Sequence, residues 1–269
     1  MITALLPIFF AVLLLGLPIF ASLALAVFLA IEFFGATNPV IVPMRMFTGM
    51  NNFSLMAIPF FILAAELMRI GGLSDRLINL AKALVGWGPG GLAAATVLSC
   101  LFFGAISGSS PATVVAIGSI MFPALVAAGY DNRFAIGLIA TAGTLGPIVP
   151  PSIALIIYGS VTGTSVGRLF AAGLLPAIVI ASILIAYCIV FSSIKGYERA
   201  PFPSLRQILV AFKDAAWGLG LPVILLGGIY SGVFTPTESA AVACVYGLFV
   251  GMVVYRTINV TELVGTLRS

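Results

Sequence analysis

Three serines, two glycines and a proline crowd into Gly104-Ala-Ile-Ser-Gly-Ser-Ser110 and Pro111, in the middle of an apolar run. Glycine loosens a helix and proline breaks it, and both free backbone polar groups. Ser107, Ser109 and Ser110 add hydroxyls to those freed carbonyls. Downstream, Gly143-Thr-Leu-Gly-Pro-Ile-Val-Pro-Pro-Ser152 is a second interruption, offering more carbonyls and the Ser152 hydroxyl. Neutral oxygens of this kind, partly from unwound backbone, suit a weakly bound monovalent cation such as Na⁺. Ca²⁺ would normally draw on carboxylates, and none is near either stretch in sequence. Half-helix N-termini at Pro111 and Ser152 would aim partial positive charge inward, which favours an anionic ligand. A cation and an anion at one site outline an ion-coupled carrier.

Blander explanations exist for each stretch. Gly104 and Gly108 also form a GxxxG close-approach motif, and the prolines after Gly143 could simply kink a helix.

The elements that must position these residues are membrane helices. The chain has 269 residues, of which 61% are hydrophobic and 7% charged, with a mean hydropathy of +1.23. Soluble domains carry about 25% charge, and the apolar stretches here are helix-length rather than alternating. The expected class is an all-α integral membrane protein, a multi-span helical bundle with one re-entrant helical hairpin and one broken helix. Interrupted backbone at membrane depth survives only inside protein or against a water-filled cavity.

Several functions are disfavoured. The chain has no histidine, no paired carboxylates within membrane segments and no serine-base arrangement, so catalysis has no support. Glu32, Glu66 and Glu238 are isolated in sequence. Cys100, Cys188 and Cys244 lie far apart in apolar segments and read as packing residues. The net charge of +4 is spread over loops and does not indicate nucleic-acid binding. The N-terminus lacks a basic region and a cleavage site, so the first helix is expected to stay in the mature chain.

In chain order, 1–72 reads as scaffold helices. It holds short helices at 2–15 and 18–34 broken at Gly16-Leu-Pro18, a loop at 35–52 and a helix at 53–70. Glu66 and Arg69 share one face of that last helix, either as an interfacial ion pair or as a substrate contact. Residues 73–86 form an amphipathic interfacial helix, with Ser74 expected to cap it and Gly86 to end it. Residues 87–166 hold the hairpin (helices 91–103 and 111–127, tip 104–110, Ser110 capping the return) and a helix broken at 145–152. A span at 167–194 follows. Residues 195–217 form a polar loop and a second amphipathic helix, and 218–269 holds spans at 218–232 and 237–255. Seven of the twelve Lys/Arg residues lie in 69–82 and 195–213, which places both stretches in the cytoplasm. The hairpin then enters from the cytoplasm, and Arg256 is cytoplasmic.

Four stretches carry a family resemblance. Phe103-Gly-Ala-Ile-Ser-Gly-Ser-Ser-Pro-Ala-Thr113, Gly143 to Ser152, Gly228-Ile-Tyr-Ser-Gly-Val-Phe-Thr-Pro-Thr-Glu-Ser-Ala-Ala-Val242 and Pro59-Phe-Phe-Ile-Leu-Ala-Ala-Glu-Leu-Met68 look like the large membrane (DctM-type) subunit of tripartite ATP-independent periplasmic (TRAP) transporters. The resemblance implies a sodium-coupled secondary transporter for organic acids in the bacterial inner membrane, with no cofactor beyond Na⁺ as coupling ion. It also implies an elevator movement and two protein partners, a periplasmic substrate-binding protein and a small four-helix membrane subunit. A sodium site is implied at Ser107, Ser109, Gly146, Val149 and Pro150, with substrate beside it at Gly108, Ser110, Pro151 and Ser152. The family has two inverted repeats, each with a hairpin. This chain is therefore expected to correspond to the first portion, with the second sodium site beyond it. The alternatives are another hairpin-bearing ion-coupled carrier, or a non-transporting membrane scaffold subunit.

Overall fold

A computed structural model describes residues 2–35, 38–197 and 200–258. These residues form helices joined by short turns, in two compact units, Met1–Asn52 and Phe53–Ser269.

The first unit contains α1 (Ile2–Leu14), α2 (Ile19–Phe34) and α3 (Ile41–Met50). Gly16 at φ +85° and the Pro18 cap of α2 make the expected break. Ser22, Ala26 and Ala30 line up along the buried stripe of α2, one residue per turn. The expected loop at 35–52 is corrected by α3. Pro43 falls in its first turn, where a missing N–H costs nothing, so the proline did not mark a loop. Ala36 and Thr37 of that stretch lie outside the described residues.

The second unit opens with a 3₁₀ turn at Phe53–Met56 that runs into α4 (Ala57–Ile70). α5 (Leu73–Val85) follows and ends at Gly86. Its cap is Gly72, in the left-handed region at φ +71°. The expected cap, Ser74, is inside the helix with its hydroxyl buried and unpartnered among the described residues. Then come α6 (Gly91–Ser107), α7 (Ser110–Ala127), α8 (Asn132–Gly143), α9 (Ile153–Thr162) and α10 (Val166–Lys195).

After the loop, α11 (Leu205–Tyr230) starts with a capping box, Ser204 with Gln207. It corrects the expectation of separate helices at 204–217 and 218–232. The polarity changes near Trp217, but backbone hydrogen bonding continues through that point. Glu198 and Arg199 of the polar loop lie outside the described residues. α12 (Pro236–Phe249) begins with a second capping box, Thr235 with Glu238, and ends in a π turn at Val250–Val254. That box gives Glu238 a capping role. The tail from residue 259 also lies outside the described residues.

Among the described residues, five stretches are long and apolar enough to cross a membrane: Phe53–Ile70, Ser110–Ala127, Val166–Lys195, Leu205–Tyr230 and Pro236–Val254. α10 and α11 leave many large apolar side chains exposed, including Leu175, Ile183, Val190 and Val223. In bilayer such faces meet lipid, where they cost nothing.

The second unit is tied together by close helix pairs. α4 and α12 run parallel. Thr237 Oγ1 donates to Phe53 O at 3.0 Å and Cys244 Sγ to Phe60 O at 3.0 Å, each pairing residues 184 apart. Ala57, Ala64, Ala240, Ala243 and Gly247 are buried and allow this approach. At the other end, the Arg76 guanidinium sits 3.7 Å over the Tyr255 ring, and Tyr255 donates to Asp214 O at 2.7 Å. The C-terminal ends of α4 and α12 therefore lie on one side.

Near the start of α8, Tyr130 stacks on Tyr197 at 4.1 Å and Phe134 on Phe191 at 4.4 Å. This aromatic stack fixes the turn before α8 against the end of α10.

Candidate functional site

The α6–α7 hairpin reverses within two residues. α6 ends at Ser107, Gly108 stands at φ +58°, and Ser109 is extended before α7 begins. A left-handed backbone of this kind strains any residue with a Cβ. A Cβ on Gly108 would also strike the Pro151 carbonyl. The tip is thus tighter than the expected 104–110, because α6 continues helical through Ser107. The cap position belongs to Ser109 rather than Ser110: the Thr113 N–H bonds to Ser109 O at 3.1 Å and sets the first turn.

The second interruption lies between α8 and α9, at 144–152. The helix tightens first, with Leu145 N–H to Ala142 O and Gly146 N–H to Gly143 O, both at 3.1 Å. Pro147, Pro150 and Pro151 then remove three N–H donors, and the Pro150–Pro151 peptide is cis. Ser152 restarts the helix as expected. Its hydroxyl accepts from Leu155 N–H at 3.2 Å and donates to Pro147 O at 2.5 Å.

Tip and break meet backbone to backbone. Ile153 N–H donates to Gly108 O at 3.3 Å. A Cβ on Gly104 would stand 3.0 Å from Gly146 Cα. One on Gly146 would stand 2.7 Å from Ser109 O and 2.9 Å from Thr113 Oγ1. On another side, a Cβ on Gly173 of α10 would lie 2.6 Å from Ile148 O. Glycine at 104, 108, 146 and 173 allows this approach.

Oxygens converge at this seam. Thr113 Oγ1 donates to Ser109 O at 2.8 Å and lies 3.0 Å from Ser107 Oγ, which is itself 3.4 Å from Ser109 O. Ser107 and Thr113 are buried, and Gly146 packs against the group. These oxygens are neutral, a set that suits a weakly bound monovalent cation better than Ca²⁺. Among the described residues no group of three His, Cys, Asp or Glu side chains could hold a metal ion.

The structure therefore brings Ser107, Gly108, Ser109, Gly146, Pro151 and Ser152 into one neighbourhood. Val149 and Pro150 are buried in the same break, but no hydrogen bond joins them to the hairpin among the described residues. Ser110 is half-buried at the start of α7.

Thr113 was not singled out from the sequence. Its signal was its position four residues after Ser109, on the same face of the return helix. The expected symmetry of two free helix N-termini also changes. Ile153 N–H at the start of α9 is occupied by Gly108 O, whereas Ser109, Pro111 and Ala112 at the start of α7 border a cavity.

That cavity, about 850 Å³, lies between α4 and the hairpin. Its wall includes Glu66, Arg69, Phe103, Ser107, Ser109 and Ile153. Glu66 and Arg69 form a two-bond pair, Nη2 to Oε1 at 2.6 Å and Nε to Oε2 at 2.9 Å.

The family model for the tripartite ATP-independent periplasmic transporter DctM component matches residues 6–269. The C4-dicarboxylate TRAP transporter large permease protein DctM of Vibrio cholerae is 46% identical over 242 residues, covering 90% of this chain and 53% of that protein. The ectoine TRAP transporter large permease protein TeaC of Halomonas elongata is 39% identical over 259 residues, covering 96% and 61%. The isethionate TRAP transporter permease protein DctMQ of Oleidesulfovibrio alaskensis is 43% identical over 248 residues, covering 92% and 39%. The chain thus spans 61% or less of the length of each of these relatives.

Proposed function

The chain belongs to the family of tripartite ATP-independent periplasmic transporter DctM components, and on that premise we propose that it is the large membrane subunit of a sodium-coupled importer of small organic anions, C4-dicarboxylates first among them. The observation that carries this reading is the seam between hairpin tip and helix break, where neutral oxygens of buried Ser107 and Thr113 and half-buried Ser109 gather beside Gly146. Two interrupted segments meeting in this way form the usual ground plan of a midplane ion and substrate site. Ser107, Ser109 and the carbonyls around Gly146, Val149 and Pro150 would hold Na⁺, and the bound ion would add positive charge beside the anion. Gly108, Ser110, Pro151 and Ser152 shape the adjoining surface. Among the relatives named above, the one of highest identity is named for C4-dicarboxylates, and the other two are named for ectoine and isethionate.

The chain works in this reading with a periplasmic binding protein that delivers the substrate and a small membrane subunit that braces it, in the bacterial inner membrane. A relative named DctMQ is consistent with such a companion subunit.

The test is uptake of labelled succinate into proteoliposomes holding the complete permease and its binding protein. Changing Ser107→Ala together with Ser109→Ala should abolish the sodium dependence of uptake while membrane insertion stays normal. An unaltered sodium response in that double variant would falsify the site.

A further inference from the structure

The cavity beside the hairpin follows α4 from Pro59 to Arg69. At about 850 Å³ it is ample for a small metabolite, since ligand pockets run from about 300 to 1,000 Å³. Its wall is largely apolar, with polar groups gathered at two places. Ser107 and Ser109 stand at the hairpin tip, and Glu66 and Arg69 stand in the last turn and a half of α4. Arg69 and Glu66 are the charged side chains among the lining residues.

Their geometry is informative. Arg69 grips Glu66 side-on through Nε and Nη2, the fork by which a guanidinium binds any carboxylate. Nη1 makes no hydrogen bond among the described residues. The two side chains are 48% and 36% exposed. The pair is therefore open to the cavity that it lines. No second cation or anion of the cavity wall competes for either partner.

We propose that Arg69 is a carboxylate-binding station for the transported anion, with Glu66 as the built-in carboxylate that the anion displaces and that recaptures Arg69 when the anion leaves. The exchange conserves charge at the guanidinium: one carboxylate replaces another in the same fork. The freed Glu66 carboxylate then repels the bound anion and promotes its departure toward the end of α4. The cavity joins this station to the hairpin tip, so an anion can move along one continuous wall between Arg69 and the Ser107–Ser109 oxygens. The proposal rests on the reading of the chain as an organic-anion permease.

The test measures sodium-driven succinate uptake by the complete permease with its binding protein, in liposomes of purely zwitterionic lipid. Arg69→Gln should raise KM at least tenfold while leaving the sodium concentration for half-maximal uptake unchanged. Arg69→Lys, which keeps the charge but loses the fork, should fall between. Glu66→Gln should lower KM and lower kcat together, because the anion binds without a competitor and leaves without one. A purely structural pair would not give that split. Should Arg69→Gln fail to insert, Glu66→Gln and Arg69→Lys carry the same decision. Unchanged KM in the inserted variants overturns the station and leaves the transport reading standing. No sodium-dependent succinate uptake by the unaltered permease overturns the transport reading, and the station with it. A KM shift that vanishes in zwitterionic lipid but appears with anionic lipid would assign Arg69 to a lipid headgroup and also overturn the proposal.

Discussion

Gly104 of α6 and Gly146 of the break touch through their backbones, with Gly146 Cα 3.0 Å from where a Cβ on Gly104 would stand. Helix and interruption are therefore packed closely enough that a side chain on Gly104 would press on the backbone of Gly146. The contact sets the depth at which the hairpin tip lies against the break.

Gly146→Ala should be the more damaging change at this seam. Its Cβ would meet Ser109 O at 2.7 Å and Thr113 Oγ1 at 2.9 Å, and the first of these is backbone that cannot rotate away. Overpacking of this kind costs about 1–3 kcal/mol. The purified protein should unfold at lower temperature and lose sodium-dependent uptake. A wild-type melting profile would show that the seam yields more easily than its geometry implies.

Thr113→Val keeps the side-chain shape and removes one hydroxyl. Ser109 O then retains the Thr113 N–H and the Ser107 hydroxyl at 3.4 Å, and Ser107 loses its 3.0 Å partner. The stability cost should be about 1 kcal/mol, small enough for the protein to remain folded. Sodium-dependent thermal stabilisation should shrink markedly relative to the unaltered protein. If the sodium response is retained in full, Thr113 supports the tip without binding the ion.

Ser152→Ala deletes the cap of α9 and the bond to Pro147 O. Loss of an N-cap costs about 0.5–2 kcal/mol. Because the cap also ties α9 to the break, transport should fall by more than stability alone explains. Ser152→Asp restores a capping oxygen, but its buried charge would face the Pro147 carbonyl, so it should recover neither stability nor uptake. Parallel measurement of melting temperature and succinate uptake separates the two.

The parallel packing of α4 and α12 predicts a labelling pattern. Asn79 and Thr257 are exposed near the ends joined by the Arg76–Tyr255 contact. Cysteine at either position should react with a membrane-impermeant maleimide from the same side of the bilayer. The native Cys100, Cys188 and Cys244 are buried and should stay silent. Labelling from opposite sides would contradict the parallel arrangement.

Much of the chemistry was readable because glycine, proline and serine act locally. The left-handed turn at Gly108, the proline run at 147–151 and the Ser152 cap all follow from single residues. What escaped were features set by neighbours. Thr113 matters through its contacts with Ser107 and Ser109, which only the folded hairpin creates. Ser74 looks like a cap, yet Gly72 starts α5 because its left-handed backbone turns the chain out of α4. α3 was hidden because Pro43 resembles a loop residue until its place in the first turn is known. The unbroken α11 shows that a change in polarity along a helix marks where the surroundings change, not where the helix ends. The Glu66–Arg69 pair followed from its spacing, but the cavity on which it opens did not.

The seam between tip and break also has a mechanical meaning. Gly104 against Gly146 and Gly108 O against Ile153 N–H leave no room for the two segments to slide or part without losing contacts along both. An ion held between them would be gripped by both segments at once, with the Ser107 and Ser109 side left open to the cavity. Parting the two segments would break contacts along both, so tip and break behave as one packed unit at this seam.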